Sequence, residues 1–414
     1  MNFKDVKKWT IGGQEVKVVT VGGQEIWKKE EGPKAFYVED VSGVNNQLTL
    51  TKSSESAPAI ALEYSDDNGA TWKEWVNCQS VALPIKPNSR VYLRGTNEKF
   101  TNINSLNSNT INCIGNYNVG GDLTTLIVPN GNVLDLTGRD DCYSGLFKNS
   151  ITLQNIKDLI LPSTTLSNGC YSSMFFGCSN LQSVTELPAE KLAINCYNNM
   201  FSGCSTITNA PKLIATELSE ACYCGIFKDC INLIVAPELP AMNTVKRCYE
   251  NMFYNCKKLQ TAPALLATKL SSNDGTLADS CYQGMFAFCT ELINIPTELP
   301  ADTLAPKCYQ GMFEGCIKIQ TAPKLYGTYL LDSCYRNMFK GCSSLNTVEV
   351  MATSWKTFDG KPISTYWLES VPSTGTFVKP TNLVVWDGTG TQPEGSIPLN
   401  SPNGIPEGWT VQDK

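Results

Sequence analysis

The chain has 414 residues, 33 Lys and Arg against 39 Asp and Glu, and no histidine, so its net charge is −6. That balance, with no basic stripe interleaved with aromatics, disfavours a nucleic-acid partner. The missing histidine removes Ser-His-Asp and Cys-His catalysis and leaves any metal site to sulfur or oxygen ligands. At 42% apolar, the chain can fill the cores of two or three domains.

Residues 1–31 contain a duplication, I-G-G-Q-E-V at 11–16 and V-G-G-Q-E-I at 21–26. Gly12-Gly13 and Gly22-Gly23 between β-formers are two-residue hairpin signals, so a three-stranded β-meander ending near Trp27 is expected. It is too small to be stable alone and should dock on another surface. Lys4, Lys7 and Lys8 lead into Trp9 without an apolar run, so no signal peptide is expected. No stretch approaches the roughly 18 apolar residues of a membrane span. As written, the chain is made in a cytoplasm. This segment resembles the short leader of some phage structural proteins from gut-bacterial hosts, which implies attachment to other virion proteins.

Residues 33–118 change to short alternating strands at 35–41, 47–51, 60–64, 71–76 and 90–94, expected to form one antiparallel β-sandwich. The run S-D-D-N-G-A-T-W at 65–72 resembles the Asp-box of sialidase-like propellers. A catalytic propeller would need several copies and an arginine cluster, so a folded turn is expected.

From 120 to 352 one block, C-Y-x2-M-F-x2-C, returns eight times, opening at Cys142, Cys170, Cys196, Cys222, Cys248, Cys281, Cys308 and Cys334. The intervals of 28, 26, 26, 26, 33, 27 and 26 residues predict a solenoid whose units cannot stand alone. Leu166, Cys170, Met174 and Phe175 fall at i, i+4, i+8 and i+9, which predicts a short helix in each unit. Gly177, Gly203, Asp229, Asn255, Gly315 and Gly341, each before a second Cys, predict a left-handed helix end. Next comes L-x2-A-P-x-L, as in Leu259, Ala262, Pro263 and Leu265, expected to be a short extended segment stacked in a parallel ladder. Pro211, Pro237, Pro263, Pro296 and Pro323 limit that ladder, because proline has no amide to donate.

These units resemble BspA-like leucine-rich repeats in the version with paired cysteines, found in proteins of gut bacteria and their phages. The resemblance implies an α/β solenoid of eight units and a recognition or adhesion role. Ser150 in place of a second Cys, and Leu146 and Ile226 in the Met slot, depart from the pattern. No C-x2-C occurs among the 18 cysteines, and the two slots of a unit would lie about 12 Å apart on a helix. Buried reduced thiols are therefore expected, with no metal and no cofactor.

The insertion at 271–277 should bulge from the array. Residues 353–414 hold Trp355, Trp367, Trp386 and Trp409, suited to covering the exposed end of a repeat array, with a Gly- and Pro-rich loop at 387–406.

One column of the array, Glu186, Lys212, Glu238, Ala264, Glu298, Lys324 and Glu349, alternates in charge beside the last aliphatic residue of each extended segment. It is the candidate recognition surface, with lateral pairing that fixes register as the bland alternative. The expectation is a non-enzymatic recognition protein of a phage virion, binding a protein or glycan on a cell surface. The alternatives are a structural virion component packed against sister subunits, compatible with a homo-oligomer, and a bacterial cell-surface adhesin.

Overall fold

The computed structural model describes residues 9–11, 14–16, 18–21, 24–28, 34–102, 107–271, 275–356, 363–401 and 403–414. Lys4, Lys7, Lys8, the two Gly-Gly pairs and part of the insertion, 272–274, lie outside the described residues.

The N-terminal strands form two separate hairpins rather than a meander. Strand β1 (Trp9–Ile11) pairs antiparallel with β2 (Gln14–Val16), and β3 (Val18–Val21) with β4 (Gln24–Lys28). No pairing joins β2 to β3 among the described residues.

The next strands are β5 (Phe36–Asp40), β6 (Asn46–Lys52), β7 (Leu62–Ser65), β8 (Lys73–Glu74), β9 (Leu83–Ile85), β10 (Arg90–Gly95), β11 (Thr101–Asn102), β12 (Asn107–Cys113), β13 (Tyr117–Asp122) and β14 (Leu153–Ile160). They make a six-stranded sheet, β14-β13-β5-β10-β7-β8, over a four-stranded one, β11-β12-β6-β9. Phe36, Val38, Val91 and Leu93 face the main core, while Tyr37 and Tyr92 take the opposite face, where they are buried in a small cluster with Ala35 and Trp72. The Asp-box is the β7–β8 turn. Asp67 accepts from the Thr71 amide at 2.9 Å and the Ser65 hydroxyl at 2.7 Å, and with the Thr71 hydroxyl these hold its carboxyl down to about 2. Its polar atoms are spent on the turn itself.

Strand β14 is the first extended segment of the repeat region, and it pairs parallel with β13. The sandwich sheet thus runs directly into the stacked repeats, and one hydrophobic core continues from Phe36 to Trp409.

The repeats contain no α-helix among the described residues, which corrects the α/β expectation. Each C-Y-x2-M-F-x2-C block is a ribbon of consecutive turns. In the fifth unit the amides of Cys248, Glu250, Met252, Tyr254 and Cys256 donate three residues back, to carbonyls at 3.1–3.2 Å. The amides between them, on Arg247, Tyr249, Asn251, Phe253 and Asn255, donate instead to Asp279, Cys281, Gln283, Met285 and Ala287 of the next unit at 2.7–3.0 Å. Half the donors close local turns and half bind the neighbour, so no unit satisfies its backbone alone.

The cause is a left-handed residue at every fourth position: Arg247, Asn251 and Asn255 at φ 58, 53 and 60°, with counterparts in all eight copies. A right-handed helix cannot pass through such residues. Two residues then point in and two point out, so Cys170, Tyr171, Met174, Phe175 and Cys178 are all buried. Gly311 separates the two geometries. Gly→Ala stabilises a helix interior by about 1 kcal/mol but costs about 1–2 kcal/mol in the left-handed region. A Cβ there, at φ 60°, would touch only the flexible end of Glu314. Gly311→Ala is expected to lower the urea midpoint, and a rise would contradict the turn ribbon.

Stacking puts like on like. Phe100, Tyr143, Tyr171, Tyr197, Tyr223, Tyr249, Tyr282, Tyr309, Tyr335 and Trp355 form one column with ring centroids 5.7–6.4 Å apart. A second runs from Phe147 to Phe339 at 5.3–6.0 Å with near-parallel rings. Each second-slot thiol, from Cys178 to Cys342, donates to the carbonyl of the column phenylalanine one unit earlier at 3.0–3.1 Å. Ser150 departs from this because the sandwich precedes it: its hydroxyl meets Tyr117 Oη at 2.8 Å and donates to Asn112 Oδ1 at 2.7 Å.

After the eighth copy the ribbon continues through 363–370 without cysteine. Tyr335, Asn337, Phe339 and Gly341 donate to Ile363, Thr365, Trp367 and Glu369, and Trp367 fills the Met slot, fully buried. Trp355 and Trp409 are also buried, whereas Trp386 is only half-buried and donates to the Thr389 carbonyl at 2.9 Å. The extended ladder ends in three parallel strands, Thr347–Glu349, Gly375–Lys379 and Trp409–Asp413. The insertion closes as an antiparallel bridge between Ser271 and Leu277.

Candidate functional site

The extended segments pair only in short stretches. Parallel bridges join Asn209 to Val235, Val235 to Thr261 and Thr261 to Asn294, and further along Asn243 to Lys269. Between those stretches Pro237, Pro240 and Pro263 have no amide to donate. There the fourth and fifth units part into a cleft of about 740 Å³, within the range of ligand pockets.

The lining of the cleft includes the one uncharged position of the charged column: Ala264 stands where the other units carry Glu or Lys. Ile234, Val235 and Leu266 line that space and remain 46%, 56% and 42% exposed. Glu238 is the carboxylate on the wall, and Lys257 and Lys258 edge an adjoining hollow that shares Ile234 and Gln260. The result is an apolar floor with Glu238 on its wall and Lys257, Lys258 and Glu291 around the adjoining hollow. Its polar groups can orient a ligand while the floor takes an apolar group.

The other column residues are placed unevenly. Glu186 and Lys212 line a second cleft of about 430 Å³ with Ile214, yet no ion pair joins them among the described residues. Glu298 and Lys324 are direct partners in a parallel strand pair. Lys324 lies 3.4 Å from Glu349, which also receives Lys414 at 2.6 Å. The Lys414 ammonium, with Lys324 behind it, holds the Glu349 carboxyl below the usual range. The column therefore divides into a tied end, Lys324 and Glu349, and an untied middle around Ala264. The gap at Ala264 is visible in the column, but the cleft also depends on how far the prolines hold two segments apart.

All 18 cysteines are buried. Burial pushes the thiols of Cys142, Cys178 and Cys289 up to about 12, so they are neither nucleophiles nor ready ligands near neutral pH. Among the described residues no group of three or more Cys, Asp or Glu is placed to hold a metal, and no helix is long and apolar enough to cross a membrane.

No family model matches the chain, and no curated protein matches it. A crystal structure of a leucine-rich repeat protein from Bacteroides ovatus is similar over 65% of this chain and 77% of that chain, at 12% identity and a TM-score of 0.24. That likeness is too slight to bear on what this chain binds.

Proposed function

We propose that the chain is a non-enzymatic recognition protein whose repeats form a solenoid of the BspA-like leucine-rich kind. In this proposal the array binds a host-surface protein or glycan through its extended-segment face. Its place is a phage virion, to which the N-terminal hairpins attach it. The observation that carries recognition is the cleft at Ala264, where exposed apolar side chains break an otherwise charged column. Exposed apolar surface rimmed by charge is characteristic of interaction sites. The lack of histidine and the raised, buried thiols support a binding role over catalysis.

The test is a binding screen of the full chain against immobilised bacterial surface polysaccharides and envelope proteins, repeated with Ala264→Arg. Arginine would fill the cleft with a charge at an exposed position, so binding should weaken by on the order of tenfold with an unchanged melting curve. A hit indifferent to Ala264→Arg would reject this face. Self-association abolished by the same substitution would instead favour a structural component packed against sister subunits.

A further inference from the structure

The left-handed slot before each second Cys, or before Ser150 in the first copy, is held by Asn149, Gly177, Gly203, Asp229, Asn255, Gly315 and Gly341 in seven of the eight copies. In the sixth it is Phe288, at φ 61° and 37% exposed. A bulky residue there is strained, and folding alone would favour the small or amide side chains of its counterparts. Strain kept at a surface position calls for a use.

The surroundings of Phe288 indicate which. Its ring meets Tyr254 edge-on at 5.3 Å and lies over Gly315, where a Cβ would come within 2.7 Å of it. The bare backbone of the next unit thus provides the bed for the ring. Its amide donates to the Glu314 carbonyl, and burial, with the Asp229 and Glu314 carboxylates after it, raises the Tyr254 phenol. Glu314 itself is half-buried, and no cation lies within ion-pair distance of it among the described residues. The nearby Lys340 is committed to Glu369 at 2.6 Å.

The same face supplies three internal precedents. Lys148, Lys228 and Lys340 lie over the rings of Phe176, Tyr254 and Tyr366 at 5.4, 5.2 and 5.5 Å. In each case the lysine comes from the preceding unit. For Phe288 the preceding unit offers Tyr254 instead, so among the described residues no cation covers this ring. We propose that Tyr254, Phe288 and Glu314 form a second recognition site, on the turn-ribbon face, which receives a lysine or arginine side chain from a partner polypeptide. The Phe288 ring, with Tyr254 packed at its edge, supplies the cation–π attraction and the carboxylate supplies the counter-charge. The site is a flat surface rather than a pocket, which suits a side chain held by a larger interface. It lies outside the Ala264 cleft and goes beyond the function proposed for it.

The probe is a labelled, terminally blocked hexalysine peptide, titrated into the full chain at low salt and followed by fluorescence anisotropy. Phe288→Gly and Glu314→Gln should each weaken binding by on the order of tenfold, Phe288→Tyr should retain it, and Glu74→Gln, at an exposed carboxylate of the sandwich outside both sites, should leave it unchanged. Phe288→Gly should also raise the melting temperature, which separates lost binding from lost folding. Equal binding by wild type, Phe288→Gly and Glu314→Gln would mean only general attraction to an acidic protein and would overturn the site. A lower melting temperature for Phe288→Gly would remove its premise.

Discussion

Raised from pH 8 to pH 10 without reductant or denaturant, the repeat array is expected to unfold, and to do so cooperatively. The thiols of Cys142, Cys178, Cys281, Cys289 and Cys342 are pushed up to about 12 by burial, and burial also raises those of Cys204, Cys222, Cys248, Cys256, Cys308 and Cys316 well above the ordinary thiol range. Each is higher in the fold than in the unfolded chain, so the unfolded state releases its protons first. Stability is full below the ordinary thiol range and is lost as pH rises from there towards the folded values. With an unfolded value near 8.5, one such thiol costs about 2 kcal/mol at pH 10. The five at about 12 together cost on the order of 10 kcal/mol, comparable with the roughly 5–15 kcal/mol that holds a typical domain together, and the other buried thiols act in the same direction.

The buried tyrosine column acts in the same direction at higher pH, because Tyr171, Tyr249 and Tyr309 are raised well above their ordinary value by the same burial. Circular dichroism against pH, with thiolate absorbance recorded in parallel, should show both signals change together in a steep transition between about pH 9 and 10. An array still folded at pH 10.5 would mean that the thiols are not buried as neutral groups. Charged side chains on the surface are too exposed to produce a transition of this size.

The part of this architecture that could be read from the sequence is the part carried by spacing. Cys, Tyr, Met, Phe and Cys at fixed intervals identify the repeat and its inward side chains, and those residues are buried in every copy. The spacing predicts a helix because two-in, two-out at a period of four imitates i, i+4 on a helix face. The distinguishing signal is the left-handed residue before the first Cys and at every fourth position after it, as in Asn195, Asn199 and Gly203. Only the last of these slots carries a sequence signal, and that signal also fits a helix end. Ser173, Ala221, Arg247, Phe288 and Lys307 occupy such slots without advertising them. Strand β12 escaped for another reason: Asn109 is buried in it and donates to the Phe100 and Pro58 carbonyls, so hydrophobic alternation fails there. At the candidate surface the column was legible, but its pairing was not. Whether Lys324 reaches Glu349 depends on a one-residue offset between the last two extended segments, which intervals between cysteines do not reveal.

Phe253→Ala is expected to destabilise the chain by about 3–5 kcal/mol, with most of the loss confined to the fourth to sixth units. Phe253 is fully buried, and its ring stacks on Phe227 at 5.8 Å and Phe286 at 5.6 Å, so truncation removes a rung from the middle of a column. The backbone carbonyl that accepts the Cys289 thiol at 3.1 Å remains, but the ring that held it in place is gone. Because every second amide binds the next unit, slackening at one rung transmits first to its two neighbours and weakens with distance. Hydrogen exchange should therefore lose protection at Phe227, Phe253 and their hydrogen-bonded partners Met252 and Met285, while β5 and β10 in the sandwich keep theirs. Protection lost evenly across the chain would show a single cooperative block instead of a stack of neighbours. A loss under about 1 kcal/mol would show that the columns are bystanders and that the backbone ladder alone sets the stability.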